Sequence, residues 1–155
     1  MFEGKSWTAS GVVPMIFSSE VGPMVLCRVE KKKDGMRVDL LKSRRAANEN
    51  TPYETAMRGF DSEANGMLNV NKADLKKAKI EYAPKSKLIL FCIKRPPSEI
   101  DLADEQPMLY WIPLAREHRD MMLEIISEEV GGSISESFIL RMMIPRLERC
   151  YHMHF

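Results

Sequence analysis

The sequence lacks the features that mark membrane and secreted proteins. No apolar run in its 155 residues approaches the roughly 18–20 residues that cross a bilayer. Its first ten residues have neither a basic start nor a long apolar stretch, which argues against a secretory signal. We therefore expect an intracellular protein, cytoplasmic or nuclear, with no membrane contact.

Cysteine is scarce, and its spacing shows no pairs. Cys27, Cys92 and Cys150 stand in apolar or mixed contexts, which argues against a disulfide framework and against a cysteine-rich zinc site. We expect buried thiols. A charge excess is also missing, because 23 Lys and Arg against 22 Asp and Glu give a net charge of +1. Any nucleic-acid binding would therefore depend on a local basic patch.

Apolar residues, in contrast, are plentiful. They make up 45% of the chain, and a chain of this length buries about two thirds of the surface that its unfolded state exposes. We predict one domain over residues 1–155, with residues 133–155 as a C-terminal helical extension. The 12 methionines are better explained by adaptable core packing than by a partner surface.

Strand patterns dominate the first half of the chain. β-branched and apolar residues predict a hairpin of strands at 11–18 and 23–30, and alternation predicts a third strand at 36–42. Further strands are predicted at 78–84, 87–94 and 108–112. The loop between the last two, residues 95–107, carries Asp101, Asp104 and Glu105, and we predict a solvated acidic loop.

A central helix is predicted to begin after Thr51, which is placed to cap it, with Pro52 at the first position and Glu54 completing a capping box. It should end at Asn65 and Gly66. Its apolar stripe contains Tyr53, Ala56, Met57, Phe60 and Ala64. The opposite face carries Thr55, Arg58, Ser62 and Glu63.

Two more helices are predicted at the C-terminus. Pro113 is expected to open the first, whose apolar stripe contains Leu114, Met121, Met122, Ile125 and Ile126. A capping box of Ser133 and Glu136 is expected to open the second, which should kink at Pro145. The fold class is therefore α/β or α+β, a mixed β-sheet sandwich with a central helix and two C-terminal helices.

The segment ENTPYETAMRGFDSEANGML, residues 49–68, resembles the signature of the Nudix hydrolase family. Residues 51–56 resemble the usual helix entry of that signature, Arg58 falls on its arginine, Phe60 on its apolar position and Glu63 on its last glutamate. The strand order and the segment 111–114 extend the resemblance to most of residues 9–130. The resemblance implies a Nudix-like fold in which helix glutamates bind divalent cations that bridge a diphosphate.

Several signature positions are replaced in this chain. Counted from Arg58, the first glycine, the isolated glutamate, two helix glutamates and the final glycine fall on Arg44, Asn50, Gly59, Ser62 and Asn65. Magnesium-type cations usually need one or two carboxylates together with substrate phosphates, so Glu63 is at most a weak metal ligand, with Glu49 as a possible helper. The resemblance therefore indicates a degenerate box and no bound cofactor.

Cations stand where the family has its glycine loop. Lys42, Arg44 and Arg45 cluster there, and together with Arg58 they form our candidate site for a nucleotide or RNA phosphate, because Lys and Arg contact phosphates without a metal. An ordinary charged loop is the simpler alternative, since Asp39 and Glu49 flank the cluster.

Three functions remain open from the sequence. The leading one is a catalytically inactive binding or scaffolding subunit that retains phosphate recognition. The second is a hydrolase of nucleoside diphosphate-linked compounds that uses Mg²⁺ or Mn²⁺ through displaced ligands. The third is a purely structural interaction domain.

The C-terminal helix carries a wide apolar stripe. Phe138, Met142 and Met143 are our candidate residues for binding a protein partner or a second copy of the chain. The alternative is that the stripe packs back on the core, because a free apolar face of this size favours aggregation.

Overall fold

The computed structural model describes residues 6–64 and 66–155, which form one mixed sheet with helices on both faces. The strands are β1 (Ala9–Ser18), β2 (Gly22–Lys32), β3 (Gly35–Leu40), β4 (Ser43–Arg44), β5 (Lys79–Ala83), β6 (Leu88–Lys94), β7 (Leu109–Pro113) and β8 (Ile134–Glu136). The helices are α1 (Pro52–Ala64), α2 (Lys72–Lys77), α3 (Arg116–Val130), α4 (Phe138–His154) and a 3₁₀ helix (Pro97–Glu105). The predicted α+β class, with a central helix and two C-terminal helices, is confirmed.

The sheet has the order β5-β6-β1-β2-β3-β8, with β4 paired to β1 and β7 paired to β2. The β1–β2 hairpin is antiparallel, as predicted, whereas β1–β6 and β3–β8 are parallel. Met24 and Val25 pair with β1 on one side and with β7 on the other. Among the described residues, β7 pairs with no strand other than β2, so its second edge is free of strand partners.

Two apolar clusters lie on opposite faces of the sheet. Successive residues of β6 alternate between them, with Leu90 in one and Phe91 in the other, and both are fully buried. The first cluster lies beneath α3 and α4, and it also contains the three free cysteines, which are buried as predicted. The second lies beneath α1 and includes Phe60 and Trp111.

Several predicted boundaries and faces are wrong. Residues 134–136 form β8, because they pair with β3, so the capping box of Ser133 and Glu136 does not exist. Instead, the Ser137 hydroxyl caps α4 by accepting the Leu140 N–H at 3.0 Å. Pro113 closes β7, and α3 begins only at Arg116. The kink at Pro145 stays a prediction, and α4 runs continuously past this residue.

The packed faces of α1 and α3 also differ from the predicted ones. Thr55, assigned to the exposed face of α1, is fully buried. Met121 and Ile125, assigned to the packed stripe of α3, are 62% and 50% exposed. The predicted end of α1 at Asn65 lies outside the described residues.

Residues 138–154 complete the core of this chain. Leu140, Met143 and Leu147 are fully buried in the cluster beneath α3 and α4. Met143 is therefore wrong as a partner-binding residue, because its side chain has no exposed surface. Met142 is partly buried against the same cluster, whereas Phe138 is 74% exposed.

None of the helices in residues 6–64 and 66–155 combines the length and the apolar character that a bilayer crossing requires.

Candidate functional site

The last turn of α1 places Glu63 beside two residues from the sheet. The Arg28 guanidinium on β2 donates to Glu63 Oε2 at 3.2 Å, and the Ser43 hydroxyl on β4 is 3.5 Å from Glu63 Oε1. The Glu63 side chain is only 11% exposed. Burial raises the pKa of the Glu63 carboxyl, although Arg28 acts in the opposite direction. The carboxylate thus has a fixed cation beside it.

Gly59 occupies the position where the resemblance places the first helix glutamate. A Cβ atom built on Gly59 would lie 2.1 Å from Ser43 Oγ and 2.7 Å from Ser43 Cβ. Such separations are far shorter than van der Waals contact. A residue larger than glycine therefore fits at position 59 only if β4 moves. The space for a second carboxylate next to Glu63 is occupied by Ser43.

The other carboxylates near this end of β2 and β3 are also paired with cations. Glu30 lies 3.0 Å from Lys32 Nζ and 3.8 Å from Arg28 Nη1, and Asp39 lies 2.9 Å from Lys42 Nζ. The hydrogen bond from Lys32 lowers the pKa of Glu30. In the part of the chain that the structure describes, no cluster of three or more His, Cys, Asp or Glu side chains could hold a metal ion.

Glu49 has a separate role at the start of α1. Its carboxylate accepts hydrogen bonds from Arg58 Nε at 2.8 Å, from Arg58 Nη2 at 3.1 Å, from the Ala46 N–H at 2.7 Å and from the Thr55 hydroxyl at 2.8 Å. These bonds, led by those from Arg58, lower the pKa of Glu49 from 4.5 to about 2. Glu49 therefore joins the loop to the helix.

The structure does not bring Glu49 and Glu63 to one point. The Thr55 hydroxyl donates a hydrogen bond to Glu49. Thr55 precedes Glu63 by about two helical turns, which is roughly 12 Å along the helix axis. All of the hydrogen bonds described for Glu49 come from its own loop and helix. The pair therefore lacks the close convergence expected of two ligands to one cation.

The four predicted phosphate-binding cations are only partly brought together. Arg58 is engaged by Glu49 and by the Arg44 carbonyl oxygen at 2.6 Å. The Arg45 guanidinium lies over the Trp7 ring, 4.2 Å from its centroid, and donates to the Glu49 carbonyl at 2.9 Å. These two arginines are already committed to local contacts.

Lys42 and Arg44, in contrast, line a common cleft of about 370 Å³. The hydroxyl-bearing residues Thr8, Ser43 and Ser86 line it as well, and no carboxylate does. We call this surface the basic cleft. Arg44 is exposed and forms no ion pair among the described residues, whereas Lys42 also pairs with Asp39. Ser43 connects the cleft to Glu63.

Sequence reasoning missed Arg28 and Ser43, the two residues that define the surroundings of Glu63. Arg28 lies 35 positions before Glu63 on a different element, so no local motif joins them. Ser43 lies within the predicted polar loop, where nothing in its neighbours marks it as the contact of Gly59. Its one signal is the glycine itself, whose placement inside a helix indicates a close approach by another element.

No protein-family model matches this chain, and a search of curated proteins finds no match. Solved structures do match. A mutT/nudix family protein from Listeria innocua is 15% identical, with 83% of this chain and 98% of that protein covered at a TM-score of 0.47. An Ap4A hydrolase from C. elegans is 16% identical, with 81% and 97% covered at a TM-score of 0.45. A Nudix hydrolase from M. smegmatis is 12% identical, with 80% and 88% covered at a TM-score of 0.44.

Proposed function

We propose that this chain is a catalytically inactive Nudix-like binding protein that holds a phosphate group in the basic cleft without a metal ion. The observation that carries the proposal is the pairing of Glu63 with Arg28 beside a glycine that Ser43 overlies. Arg28 supplies the positive charge that a divalent cation would otherwise bring to the carboxylate. Without a divalent cation, the site can bind a phosphate group but lacks the means to hydrolyse it.

Metal-dependent hydrolysis requires a cation whose field activates water and neutralises the phosphate. A cation at Glu63 would have to displace Arg28, which also lies 3.8 Å from Glu30, and Ser43 occupies the place of a second helix carboxylate. Such a site offers magnesium fewer carboxylates than the family signature does. Repulsion between Arg28 and the incoming cation would weaken binding further. This arrangement favours the inactive protein over the hydrolase with displaced ligands.

Phosphate recognition is supported by the lining of the basic cleft. Arg44 forms no ion pair among the described residues, Lys42 adds a second positive charge, and the hydroxyl of Ser86 is a hydrogen-bonding group suited to phosphate oxygens. No Asp or Glu of the described chain lines the cleft, so no lining side chain repels a phosphate. A nucleotide and an RNA backbone present this same group.

The binding test is calorimetry with inorganic pyrophosphate in a buffer that contains a chelator. We expect the Lys42→Ala/Arg44→Ala variant to bind about tenfold or more weakly than the unmodified chain. The matched control is Lys76→Ala/Lys77→Ala, which removes the same charge from the exposed surface of α2 and should keep the affinity. An equal loss in both variants would show that the attraction is non-specific. Titrations with adenosine diphosphate and a single-stranded oligonucleotide would then separate the two sources of the phosphate.

The catalytic test uses capped, sugar-linked and dinucleotide substrates with magnesium or manganese. We expect no release of phosphate or nucleoside monophosphate above buffer. Turnover that disappears in Glu63→Gln would overturn the inactive assignment, and so would millimolar or tighter magnesium binding that Glu63→Ala abolishes.

A further inference from the structure

A groove of about 980 Å³ lies between the 3₁₀ helix, β7 and α3, and shares no lining residue with the basic cleft. Leu109, Tyr110 and Trp111 all line it. Because α3 packs on one face of the sheet and the 3₁₀ helix on the other, the groove between them runs along an edge of β7. This edge is the one that pairs with no strand among the described residues.

The rim of the groove is strongly acidic. It carries the five carboxylates of Glu20, Asp101, Asp104, Glu105 and Glu129. No Lys or Arg lines the groove, and none of the five forms an ion pair in the described part of the chain. Glu129 accepts a hydrogen bond from the Tyr110 hydroxyl at 3.1 Å. We call this surface the acidic groove.

Apolar groups form the rest of the lining. Met121, Ile125 and Met108 are 62%, 50% and 40% exposed, although large apolar side chains of this kind are usually buried. Their clustering along one groove marks an interaction surface rather than scattered exposure.

Trp111 adds a second observation that is independent of charge. Its side chain is 95% buried in the wall of the groove, and its indole N–H has no hydrogen-bond partner among the described residues. Buried donors are almost always satisfied, which makes this N–H an unusual group for a residue in the wall of a groove.

We infer that the acidic groove binds an extended basic peptide segment of a partner protein, in which cationic and apolar side chains alternate. The peptide backbone pairs with the free edge of β7, its cationic side chains face the carboxylate rim, and its apolar side chains contact Met121 and Ile125. Charge selects this occupant, because a nucleic acid or a phosphorylated segment is repelled by five carboxylates. The inference does not depend on phosphate binding in the basic cleft.

The test measures fluorescence anisotropy of a fluorescein-labelled peptide in which lysine and leucine alternate. The comparison peptide has glutamate in place of lysine. We expect the unmodified chain to bind the lysine peptide and not the glutamate peptide, with an affinity that falls as salt rises. Equal binding of both peptides, or no binding of the lysine peptide, would overturn the inference.

Two variants locate the binding. Asp101→Asn/Asp104→Asn/Glu105→Gln should bind the lysine peptide about tenfold more weakly. The control Asp34→Asn/Asp61→Asn/Glu148→Gln removes as much charge outside the groove and should bind as the unmodified chain does. Equal weakening in the rim and control variants would contradict the assignment to this groove.

Ile125→Ser tests the apolar contribution at a half-exposed position, where the fold tolerates a polar side chain. We expect weaker peptide binding with an unchanged circular dichroism spectrum. Unchanged affinity in this variant would show that the peptide follows charge alone and does not occupy the groove.

Discussion

Glu49 and Glu63 are two carboxylates beside one helix whose surroundings shift their pKa values in opposite directions. Glu49 accepts hydrogen bonds from a guanidinium, a hydroxyl and a backbone N–H, and each of them favours its charged form. Glu63 is paired with one half-exposed arginine, Arg28, and the effect of burial is larger, so the pKa of Glu63 is raised. The same residue type therefore stabilises the fold at one position and carries a desolvation cost at the other.

We predict that Glu49→Gln lowers the free energy of unfolding by about 1–3 kcal/mol at neutral pH, since charge-assisted bonds from Arg58 are lost. Glu63→Gln should cause no loss, because it removes a carboxylate whose charged form is penalised. Urea denaturation of both variants beside the unmodified chain measures the difference.

The pH dependence gives the sign of the Glu49 contribution. A carboxyl with a lowered pKa stabilises the fold above its unfolded value near 4.5, and that stabilisation is lost as the pH falls toward about 2. The stability difference between the unmodified chain and Glu49→Gln should therefore shrink over this window. A difference that is the same at pH 7 and pH 3 would contradict the assignment.

Gly59→Ala should destabilise the fold. Alanine favours a helix interior by about 0.5–1 kcal/mol over glycine, but overpacking against Ser43 costs about 1–3 kcal/mol. In a chain that already carries Ser43→Gly, the obstructing atoms are absent and Gly59→Ala should stabilise. Thermal denaturation of the four chains forms a double-mutant cycle, and additive effects would show that Ser43 does not limit the space.

At the scale of elements, the sequence was most informative where a pattern was local. The hairpin of β1 and β2, the start of α1 at Thr51 and the buried strand β6 follow from residues adjacent along the chain. The misassigned elements depend on distant residues. Residues 134–136 become a strand only because β3 offers an edge, and the exposure of Met121 depends on the groove beside α3.

The short helix α2 was missed for a different reason. Its N-terminus carries a complete capping box of Asn71 and Asp74, but the element is only 6 residues long and buries Leu75 alone. So little apolar periodicity gives no amphipathic signal. A capping pair was therefore a better indicator of this element than its hydrophobic pattern.

The packing of α4 can be tested with two of the residues that the sequence predicted to bind a partner. Met143→Ala should lower the free energy of unfolding by about 2–5 kcal/mol, because the side chain is fully buried. Phe138→Ala should change it by less than about 0.5 kcal/mol, since Phe138 is 74% exposed. Chemical denaturation compares them, and similar losses in both variants would show that the faces of α4 are misassigned.

At the scale of the whole molecule, a net charge of +1 conceals two surfaces of opposite sign. The composition predicted only that nucleic acid would need a local patch. The charged segments themselves are local in the sequence, where the cluster of Lys42 with Arg44 and the acidic loop were predicted. Tertiary packing adds the distant members, Thr8 and Ser86 in the basic cleft and Glu20 and Glu129 in the acidic groove, and these could not be predicted from adjacent residues.

The two surfaces should bind their ligands independently. The basic cleft is bordered by the start of β1, β4, the turn before β6 and α4, whereas the acidic groove is bordered by the 3₁₀ helix, β7 and α3. Interactions between sites without shared residues are usually additive, and salt at physiological strength screens exposed charges beyond about 8 Å.

We therefore predict that Lys42→Ala/Arg44→Ala changes the affinity for the lysine peptide by less than about twofold. The rim variant Asp101→Asn/Asp104→Asn/Glu105→Gln should change the affinity for pyrophosphate equally little. Calorimetry and anisotropy at a fixed salt concentration measure both cross-effects. A tenfold cross-effect in either direction would show that the two surfaces are coupled through the sheet between them.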